Sequence, residues 1–221
     1  MVEVLINAKS RREAQTLETR TLIVRAALRL MLQRGYMCTT LGAIATEAGV
    51  AVQTIYNSVG GKSAVLSAVL DLAAAHPGEA DAHPAPLRNR VAEARTAAEI
   101  VRILTDWIAD LNVLTSGVHR VIAQAAGVDA DIAELETRRS AQRLIQFGEV
   151  ASALRSRHSL RGGVSDHEAA ATVWALGHPQ AYRSLVLDLG WSDDAYRSWL
   201  GKALRGALSL PGALGDAGDQ I

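Results

Sequence analysis

Residues 40–62, TLGAIATEAGVAVQTIYNSVGGK, have the spacing of two short helices joined by a tight turn. Ala45 lies four residues before Gly49, and a small residue at that position lets two steeply crossing helices approach each other. Gly49 can take the positive φ angle that a sharp turn requires and that a residue with a Cβ atom resists. We therefore predict a helix-turn-helix unit. Its core is predicted to comprise Ile44, Ala45, Gly49, Val50 and Ile55.

The second helix of this unit is predicted to expose a polar face. Gln53, Thr54 and Asn57 remain on its outer side once the apolar residues are turned inward. A recognition helix presents such a face to the major groove of DNA. There a glutamine amide can form two hydrogen bonds with adenine, and a threonine methyl group can contact thymine. These residues therefore predict sequence-specific binding to double-stranded DNA.

Residues 20–66 resemble the N-terminal module of the TetR-type bacterial transcriptional regulators. The resemblance is carried by short motifs at characteristic distances, namely Arg34-Gly35-Tyr36, Thr40, Ile44-Ala45, Ala48-Gly49-Val50, Thr54-Ile55-Tyr56 and Gly61-Lys62. A weaker likeness to the last helix of such regulators lies at residues 190–200. The resemblance implies an all-α fold, with an N-terminal three-helix helix-turn-helix head and a C-terminal helical body for ligand binding and dimerisation.

The resemblance also implies which residues contact the DNA backbone. In such regulators the equivalents of Tyr56 and Lys62 meet phosphates, and Thr40 can offer its hydroxyl and its helix N-terminus to another. The full predicted DNA-binding set is Thr40, Gln53, Thr54, Tyr56, Asn57 and Lys62. Two alternatives stay open, namely that Tyr56 is a core residue and that the other polar residues are only solvated. Ala51 departs from the family pattern, which often has a helix-capping serine there, and this departure bears on affinity rather than on the fold.

The charge distribution agrees with a DNA-binding N-terminal part. The chain has 23 basic and 23 acidic residues, so its formal net charge is zero. Eight of the basic residues but only four of the acidic ones lie in residues 1–70, which gives that part a charge of +4 and the remainder −4. A basic surface attracts nucleic acid, whereas an acidic one repels it. The asymmetry is modest and supports the motif rather than replacing it.

Several function classes lack their sequence signals. Cys38 is the only cysteine, which excludes an internal disulfide and favours a reducing cytoplasm. No apolar run approaches the ~20 residues that a membrane helix needs, and the start lacks the features of a secretory signal. The six histidines are scattered, and no nucleophile motif, phosphate-binding glycine loop or metal-ligand spacing occurs. We therefore expect a cytoplasmic protein that is not an enzyme and has no cofactor, metal or membrane partner.

The helical periodicity divides the chain into an N-terminal arm and two domains. We predict a flexible arm over residues 1–18, a DNA-binding domain over 19–66 and an effector-binding and dimerisation domain over 67–221, with a loop at about 77–95. Basic residues of the arm either reach the DNA or belong to a solvated tail. Gly35 is predicted to end the first long helix, Thr96 and Glu99 to form a capping box, and Ser116-Gly117 to interrupt a helix.

The last helix of the body has a broad apolar face that must be buried. We predict that it packs against the same helix of a second subunit, which gives a symmetric four-helix bundle. The predicted interface residues are Tyr196, Trp199, Leu200, Ala203 and Leu204. Burial against the same subunit is the alternative. Trp191 is predicted to pack on Tyr196 as a hydrophobic staple.

A ligand pocket in the body is predicted between two long helices. Its predicted lining comprises Leu104, Trp107, Leu111, Gln142, Gln146 and Phe147. With only nine aromatic residues in the chain, an apolar small molecule is a better fit than a flat cationic one. The alternative for Trp107 is a plain core residue. We therefore predict a homodimeric repressor that binds an inverted-repeat operator and is released by a ligand, and the alternative is a regulator of the same fold with no small-molecule effector.

Overall fold

A computed structural model describes residues 2–74 and 87–208, with side chains from residue 14 onward. All regular secondary structure in the described residues is helical, which confirms the predicted all-α fold class. The helices are α1 (Val2–Arg34), α2 (Leu41–Ala48), α3 (Val52–Ser58), α4 (Lys62–Ala74), α5 (Leu87–Glu93), α6 (Ala97–Ala126), α7 (Ala130–Ser156), α8 (Asp166–Leu176), α9 (Pro179–Tyr182) and α10 (Asp193–Leu208). Helix α9 continues as a π-helical segment over Arg183–Asp188.

The chain divides into two compact units. The first, here called the head unit, comprises Met1–Ala75 and Gly117–Glu136, and the second, the body unit, comprises His76–Ser116 and Thr137–Ile221. Helices α6 and α7 therefore each contribute residues to both units. The head unit is larger than the predicted DNA-binding domain over 19–66, because residues 1–18, the remainder of α4 and residues 117–136 also belong to it. The functional boundary after residue 66 stays a prediction.

The N-terminal and loop predictions need correction where the structure describes them. Helix α1 begins at Val2, so most of the predicted arm over residues 1–18 continues the first helix instead of forming a loose segment. The basic side chains of residues 9, 11 and 12 lie outside the described side chains. Helix α5 occupies Leu87–Glu93 within the predicted loop at 77–95, while residues 77–86 lie outside the described residues.

Two helix ends are set by the short-range signals that the sequence predicts. Gly35 follows α1 with a φ angle of 76°, and its N–H donates to the Met31 carbonyl at 2.9 Å. The Glu99 N–H donates to the Thr96 hydroxyl, and the Glu99 carboxylate accepts the Thr96 N–H, both at 3.2 Å. This reciprocal pair satisfies two amide groups that the first turn of α6 leaves unpaired.

The predicted break at Ser116-Gly117 is wrong, because α6 runs without interruption through both residues. The Ser116 hydroxyl donates to the Val113 carbonyl one turn earlier, which is compatible with a helix. A Cβ atom on Gly117 would lie 3.0 Å from Leu32 Cδ2. The glycine therefore serves close packing of α1 against α6 inside the head unit, and it does not end the helix.

The core of the head unit collects the apolar stripes of several helices. Ile23, Ala27 and Met31 line the inner face of α1 and are at most 1% exposed. They pack in one cluster with residues from α2, α3 and α4 and from the 117–136 segment, including Ile44, Ile55, Leu66, Val121 and Ile132. This core holds the helix-turn-helix from one side only and leaves its other side to solvent.

The body unit buries most of the last helix within the same chain. Tyr196, Leu200 and Leu204 are fully buried in one core cluster with residues of α6, α7 and α8. The prediction that these three side chains face a second subunit is therefore corrected, because intramolecular packing already covers them. Trp199 and Ala203, the other two predicted interface residues, are only partly buried. Trp191 packs edge-on against Trp199 rather than on Tyr196, with 6.4 Å between the ring centroids.

A buried polar contact joins three helices of the body unit. Asn112 of α6 is 3% exposed, and its amide donates to the Gly177 carbonyl at 3.1 Å and to the Tyr196 hydroxyl at 2.9 Å. A buried amide without partners would be costly, so these bonds determine how α6, the end of α8 and α10 pack together. No sequence pattern identifies this contact, since its partners lie 65 and 84 residues away.

Candidate nucleic-acid interface

The turn between α2 and α3 has the geometry that the sequence predicts. Gly49 takes φ 68° and ψ 32°, which is the left-handed region. The Gly49 N–H donates to the Ala45 and Thr46 carbonyls, and the Val50 N–H reaches back to the Ala45 carbonyl at 3.0 Å. These bonds satisfy carbonyl groups at the end of α2 and reverse the chain within two residues.

The predicted core residues of the helix-turn-helix occupy the angle between α2 and α3. Ile44 and Ile55 are fully buried, and Ala45 is 4% exposed. Val50 is partly buried and packs against the same cluster. Burial of Ile55 orients α3, because a helix that turns one side chain fully inward must direct the residues two positions away outward.

The outward face of α3 is polar, as predicted. Gln53 and Asn57 are exposed, and Thr54 is partly buried. The Gln53 amide nitrogen donates to the Asn57 side-chain oxygen at 3.0 Å, one helical turn further on. The two amides thus align each other on one stripe of the helix surface, where both keep further donors and acceptors for a ligand. Such an aligned pair suits the donor and acceptor patterns of base edges in a major groove.

Tyr56 lies on the surface next to this stripe. It is 52% exposed, so the alternative that it is a core residue does not hold. Its exposed ring leaves the hydroxyl accessible to an anion in solution. Tyrosine hydroxyls are among the groups that contact phosphates in protein–DNA complexes.

Thr40 begins the first helix of the motif. Its hydroxyl accepts the Ala43 N–H at 3.1 Å and so caps α2. The residue itself is exposed, and its hydroxyl proton is not consumed by the cap. Ala51, at the equivalent position of α3, makes no side-chain cap bond. The Thr54 N–H instead donates to the Ala51 carbonyl at 2.9 Å, so the backbone rather than a side chain satisfies this amide of α3.

The end of α3 is fastened to α1 by an arginine that the sequence does not identify. The Arg20 guanidinium donates to the Ser58 carbonyl at 2.8 Å. A cation there also faces the negative end of the α3 dipole. Arg29 and Glu47 form a second link, between α1 and α2, at 2.7 Å. That pair is largely solvent-exposed, so its contribution to stability is about 0–1 kcal/mol.

Lys62 is the first residue of α4, beside the end of the motif. Its ammonium lies 4.0 Å from the centroid of the Tyr36 ring. Burial lowers the pKa of Lys62, and the negative charge of Asp129 opposes that effect. A cation is also disfavoured by the positive end of a helix dipole. The negative charge of a phosphate at this position would offset both costs, which is consistent with the predicted contact.

The Tyr36 ring is itself held by a residue far away in the sequence. Its hydroxyl donates to Asp129 Oδ2 at 2.8 Å. Burial, followed by the hydrogen bond to Asp129, raises the pKa of Tyr36. The motif Arg34-Gly35-Tyr36 identifies the tyrosine, but nothing in the sequence points to its acceptor 93 residues later.

The body unit contains a cavity of about 900 Å³ bordered by α5, α6 and α7. Of the six predicted pocket residues, Trp107 and Gln146 line it. Leu104 and Phe147 are buried in the core instead, Leu111 is partly buried, and Gln142 is exposed. The structure thus brings two of the six to the cavity. The additional lining residues include Leu87, Arg88, Val91, Ile145, Glu149, Val150 and Ala153.

The cavity combines an aromatic wall with one ion pair. Trp107 meets Phe147 edge to face, with 6.3 Å between the ring centroids. Arg88 of α5 and Glu149 of α7 approach to 3.9 Å, and both are well exposed to solvent. Because α7 turns Phe147 inward, the residues that follow it at Gly148 and Glu149 face the cavity rather than the core.

Neither a metal-ligand cluster nor a membrane-spanning helix occurs in the described residues. Within residues 2–74 and 87–208, no group of three or more histidine, cysteine, aspartate or glutamate side chains is arranged to hold a metal ion. Across the same residues, no helix combines the length and apolarity needed to cross a bilayer.

Part of the head unit matches a known protein family. Residues 23–69 match the family of bacterial regulatory proteins described as the tetR family. This range begins on the inner face of α1 and ends within α4, so it contains the complete α2–turn–α3 motif and Lys62. None of the curated proteins compared with the chain matches it significantly.

Solved structures of bacterial regulators share the fold over most of the chain. NalD, the secondary repressor of the MexAB-OprM multidrug efflux pump in Pseudomonas aeruginosa, superimposes with a TM-score of 0.69 at 18% identity, over 88% of this chain and 98% of NalD. SmeT in complex with triclosan gives 0.70 at 16% identity, over 92% and 99% of the two chains. GusR of Salmonella enterica gives 0.61 at 16% identity, over 87% and 96%.

At these identities the solved structures show a common fold, while the family match covers the region that contains the helix-turn-helix. The resemblance predicted from the sequence is therefore confirmed, and this chain is a DNA-binding transcriptional regulator that carries the helix-turn-helix domain of the TetR family.

Proposed function

We propose that the protein is a repressor that binds an inverted-repeat operator as a homodimer and is released by a small molecule. The observation that carries the DNA-binding part is the exposed amide pair of Gln53 and Asn57 on a short helix whose opposite side is fixed by buried Ile55. A rigid helix with an ordered polar stripe can enter a major groove without first paying for side-chain ordering.

The proposal separates residues that read bases from residues that hold the backbone. Gln53 and Asn57, with Thr54 beside them, face the major groove and determine which DNA base sequence is bound. Thr40, Tyr56 and Lys62 flank them and contact phosphates, which sets position and affinity but carries no sequence information. The two groups of residues should therefore respond differently to mutation.

The test measures DNA binding of Lys62→Ala and Gln53→Ala against an operator selected from a random library or footprinted on the DNA that flanks the gene. Lys62→Ala should weaken binding to all sequences alike and lower the slope of log K against log salt by about 0.9, as expected for one lost phosphate contact. Gln53→Ala should relax the preference at one or two base pairs, worth about 1–3 kcal/mol each. If both variants bind like the parent, the assigned surface is wrong.

The homodimer is supported by the part of the α10 face that remains partly uncovered. Trp199 and Ala203 lie there, and the Trp199 ring makes an edge-to-face contact with the Trp191 ring. A homodimer that binds two successive major grooves presents its recognition helices about one DNA turn apart, ~34–36 Å, and requires an inverted-repeat operator. Sedimentation of the parent and of Trp199→Glu tests this. A parent that sediments as a monomer at micromolar concentration contradicts the dimer.

The release step is supported by the cavity of about 900 Å³ in the body unit. This volume suits a drug-sized ligand, and its apolar wall with Trp107 favours an apolar molecule. Triclosan, the ligand in the SmeT complex, is therefore a suitable first probe. Quenching of tryptophan fluorescence and loss of operator binding on titration would support release, and Ala153→Leu should weaken both by filling part of the cavity without adding a fluorophore.

The alternative is a regulator of this fold that has no small-molecule effector. It predicts that a broad panel of apolar compounds neither quenches the tryptophan fluorescence nor weakens the protein–operator complex, in both the parent and Ala153→Leu. One titration with apolar compounds therefore distinguishes a ligand-released repressor from a regulator without an effector. The DNA-binding part of the proposal holds in either case.

A further inference from the structure

The Lys62 side chain packs against the ring of Tyr36 instead of extending freely into solvent. Its ammonium is 4.0 Å from the Tyr36 ring centroid, and Tyr36 is only 3% exposed. A cation over an aromatic face is attracted by the negative charge density of the ring. The ring thus limits the rotamers that a four-carbon lysine side chain would otherwise sample.

Both oxygens of the Asp129 carboxylate accept hydrogen bonds, and one of these bonds holds the Tyr36 ring in place. Oδ2 accepts the Tyr36 hydroxyl at 2.8 Å, and Oδ1 accepts the Asp131 N–H at 3.0 Å in the first turn of α7. The carboxylate is therefore fixed by the helix that follows it, and the phenol is fixed by the carboxylate. The chain around Tyr36 is also ordered, since the Thr39 hydroxyl donates to the Gly35 carbonyl at 2.8 Å.

Core packing alone does not explain why residue 36 is a tyrosine rather than a phenylalanine. A phenylalanine would fill the same position in the head core, whereas a hydroxyl on a nearly buried ring requires an acceptor. The acceptor is a carboxylate brought from 93 residues away. A phenol that donates to a carboxylate has a more electron-rich ring, which strengthens its attraction for the cation above it.

We propose that Tyr36 and Asp129 are positioning residues for DNA binding, which hold the Lys62 ammonium in place for a backbone phosphate. This inference rests on the proposed function, in which Lys62 contacts DNA. A charge that is already placed loses little conformational entropy on binding, so affinity increases without any contact between the two positioning residues and DNA. The lowered pKa of Lys62, caused mainly by burial, agrees with an ammonium held against the protein surface.

The test is a double-mutant cycle on the full chain, read out as operator affinity across a range of salt concentrations. Tyr36→Phe should weaken binding by about three- to tenfold and lower the salt slope by a part of the ~0.9 that Lys62→Ala removes. In the Lys62→Ala background, Tyr36→Phe should cause no further change. A purely structural role would instead leave the slope unchanged and give additive effects in the cycle.

A second pair of variants isolates the hydrogen bond at Asp129. Asp129→Asn and Asp129→Ala both remove the negative charge, but only asparagine keeps an oxygen that can accept the Tyr36 hydroxyl. Asp129→Asn should therefore keep a salt slope close to that of the parent, and Asp129→Ala should behave like Tyr36→Phe. Equal slopes for the two Asp129 variants would overturn the proposal.

The body unit offers a matched control. Tyr182 donates to Asp193 at 2.7 Å, so Tyr182→Phe removes the same kind of hydrogen bond in the body unit. It should lower thermal stability without changing the salt slope. If Tyr182→Phe lowers the slope as much as Tyr36→Phe does, the effect is general destabilisation and the inference fails. If the parent and Lys62→Ala have the same slope, the proposed phosphate contact fails first, and the positioning role fails with it.

Discussion

Replacing Gly49 with alanine should destabilise the head unit through backbone strain alone. Gly49 has φ 68° and ψ 32°, and a Cβ atom built on it meets nothing within 4 Å. The substitution therefore adds no steric clash. Its cost is that of placing an L-residue in the left-handed region, about 1–2 kcal/mol. For a chain of this size, 1 kcal/mol corresponds to a decrease in melting temperature of about 2–4 °C.

Gly42, in the same helix-turn-helix, provides the control with the opposite sign. It lies inside α2, its φ is not positive, and a Cβ atom there would meet only Thr40 Oγ1 at 3.8 Å, an ordinary contact. Alanine at this position should stabilise α2 by up to about 0.5–1 kcal/mol, since glycine loses more backbone entropy on helix formation. The two substitutions are chemically identical and lie seven residues apart.

Urea or thermal unfolding followed by circular dichroism at a fixed protein concentration measures both effects. We expect a lower midpoint for Gly49→Ala, a higher one for Gly42→Ala and an intermediate one for Gly49→Asn, because asparagine tolerates the left-handed region better than alanine. A Gly49→Ala protein as stable as the parent would show that the turn does not need a positive φ angle. The structural basis of the motif would then be wrong.

Three further predictions concern the body unit. Asn112→Ala should destabilise the protein by about 2–4 kcal/mol, measured by urea unfolding, because the Gly177 carbonyl and the Tyr196 hydroxyl lose a buried partner. Gly177→Ala should cost about 1–3 kcal/mol by overpacking, since its Cβ would lie 2.9 Å from Ile108 Cδ1, and Ile108→Val should restore part of the loss. Burial raises the pKa of Tyr196 to about 12, above the unfolded value of about 10, so the unfolded state releases its proton first and stability should fall as pH rises from about 10 to 12. Tyr196→Phe should reduce that alkaline decline in the unfolding midpoint, while Tyr36 and Tyr182, whose pKa values are also raised, keep part of it. An unchanged pH profile would refute the assignment.

The features that the sequence predicts correctly depend on interactions within about five residues. The turn at Gly49, the cap at Thr40 and the capping box of Thr96 with Glu99 each join groups that are close in the chain. Backbone geometry and helical periodicity are sufficient to place such groups, whatever the rest of the molecule does. For the same reason the outward orientation of Gln53 follows from its position two residues before the buried Ile55 in α3.

Where the pattern was ambiguous, packing partners determined the result. A glycine in a helical pattern indicates either the end of the helix or a position where another group packs close to its backbone. Gly117 is of the second kind, because the Leu32 side chain lies against it. The apolar face of α10 required a cover, but its periodicity could not say which surface supplies it. The structure covers Tyr196 and Leu200 from within the same chain, and it places the cavity where Trp107 and Gln146 meet α5.

The sequence by itself determined an all-helical chain with a DNA-reading motif at residues 40–62, because periodicity and turn chemistry are local properties. Only the tertiary structure decided what supports that motif. The Arg20 bond to the Ser58 carbonyl and the Tyr36 bond to Asp129 join residues 38 and 93 positions apart. Such pairs arise from the way helices pack around a shared core, and a single side chain carries no signal of a partner that folding alone brings within 3 Å.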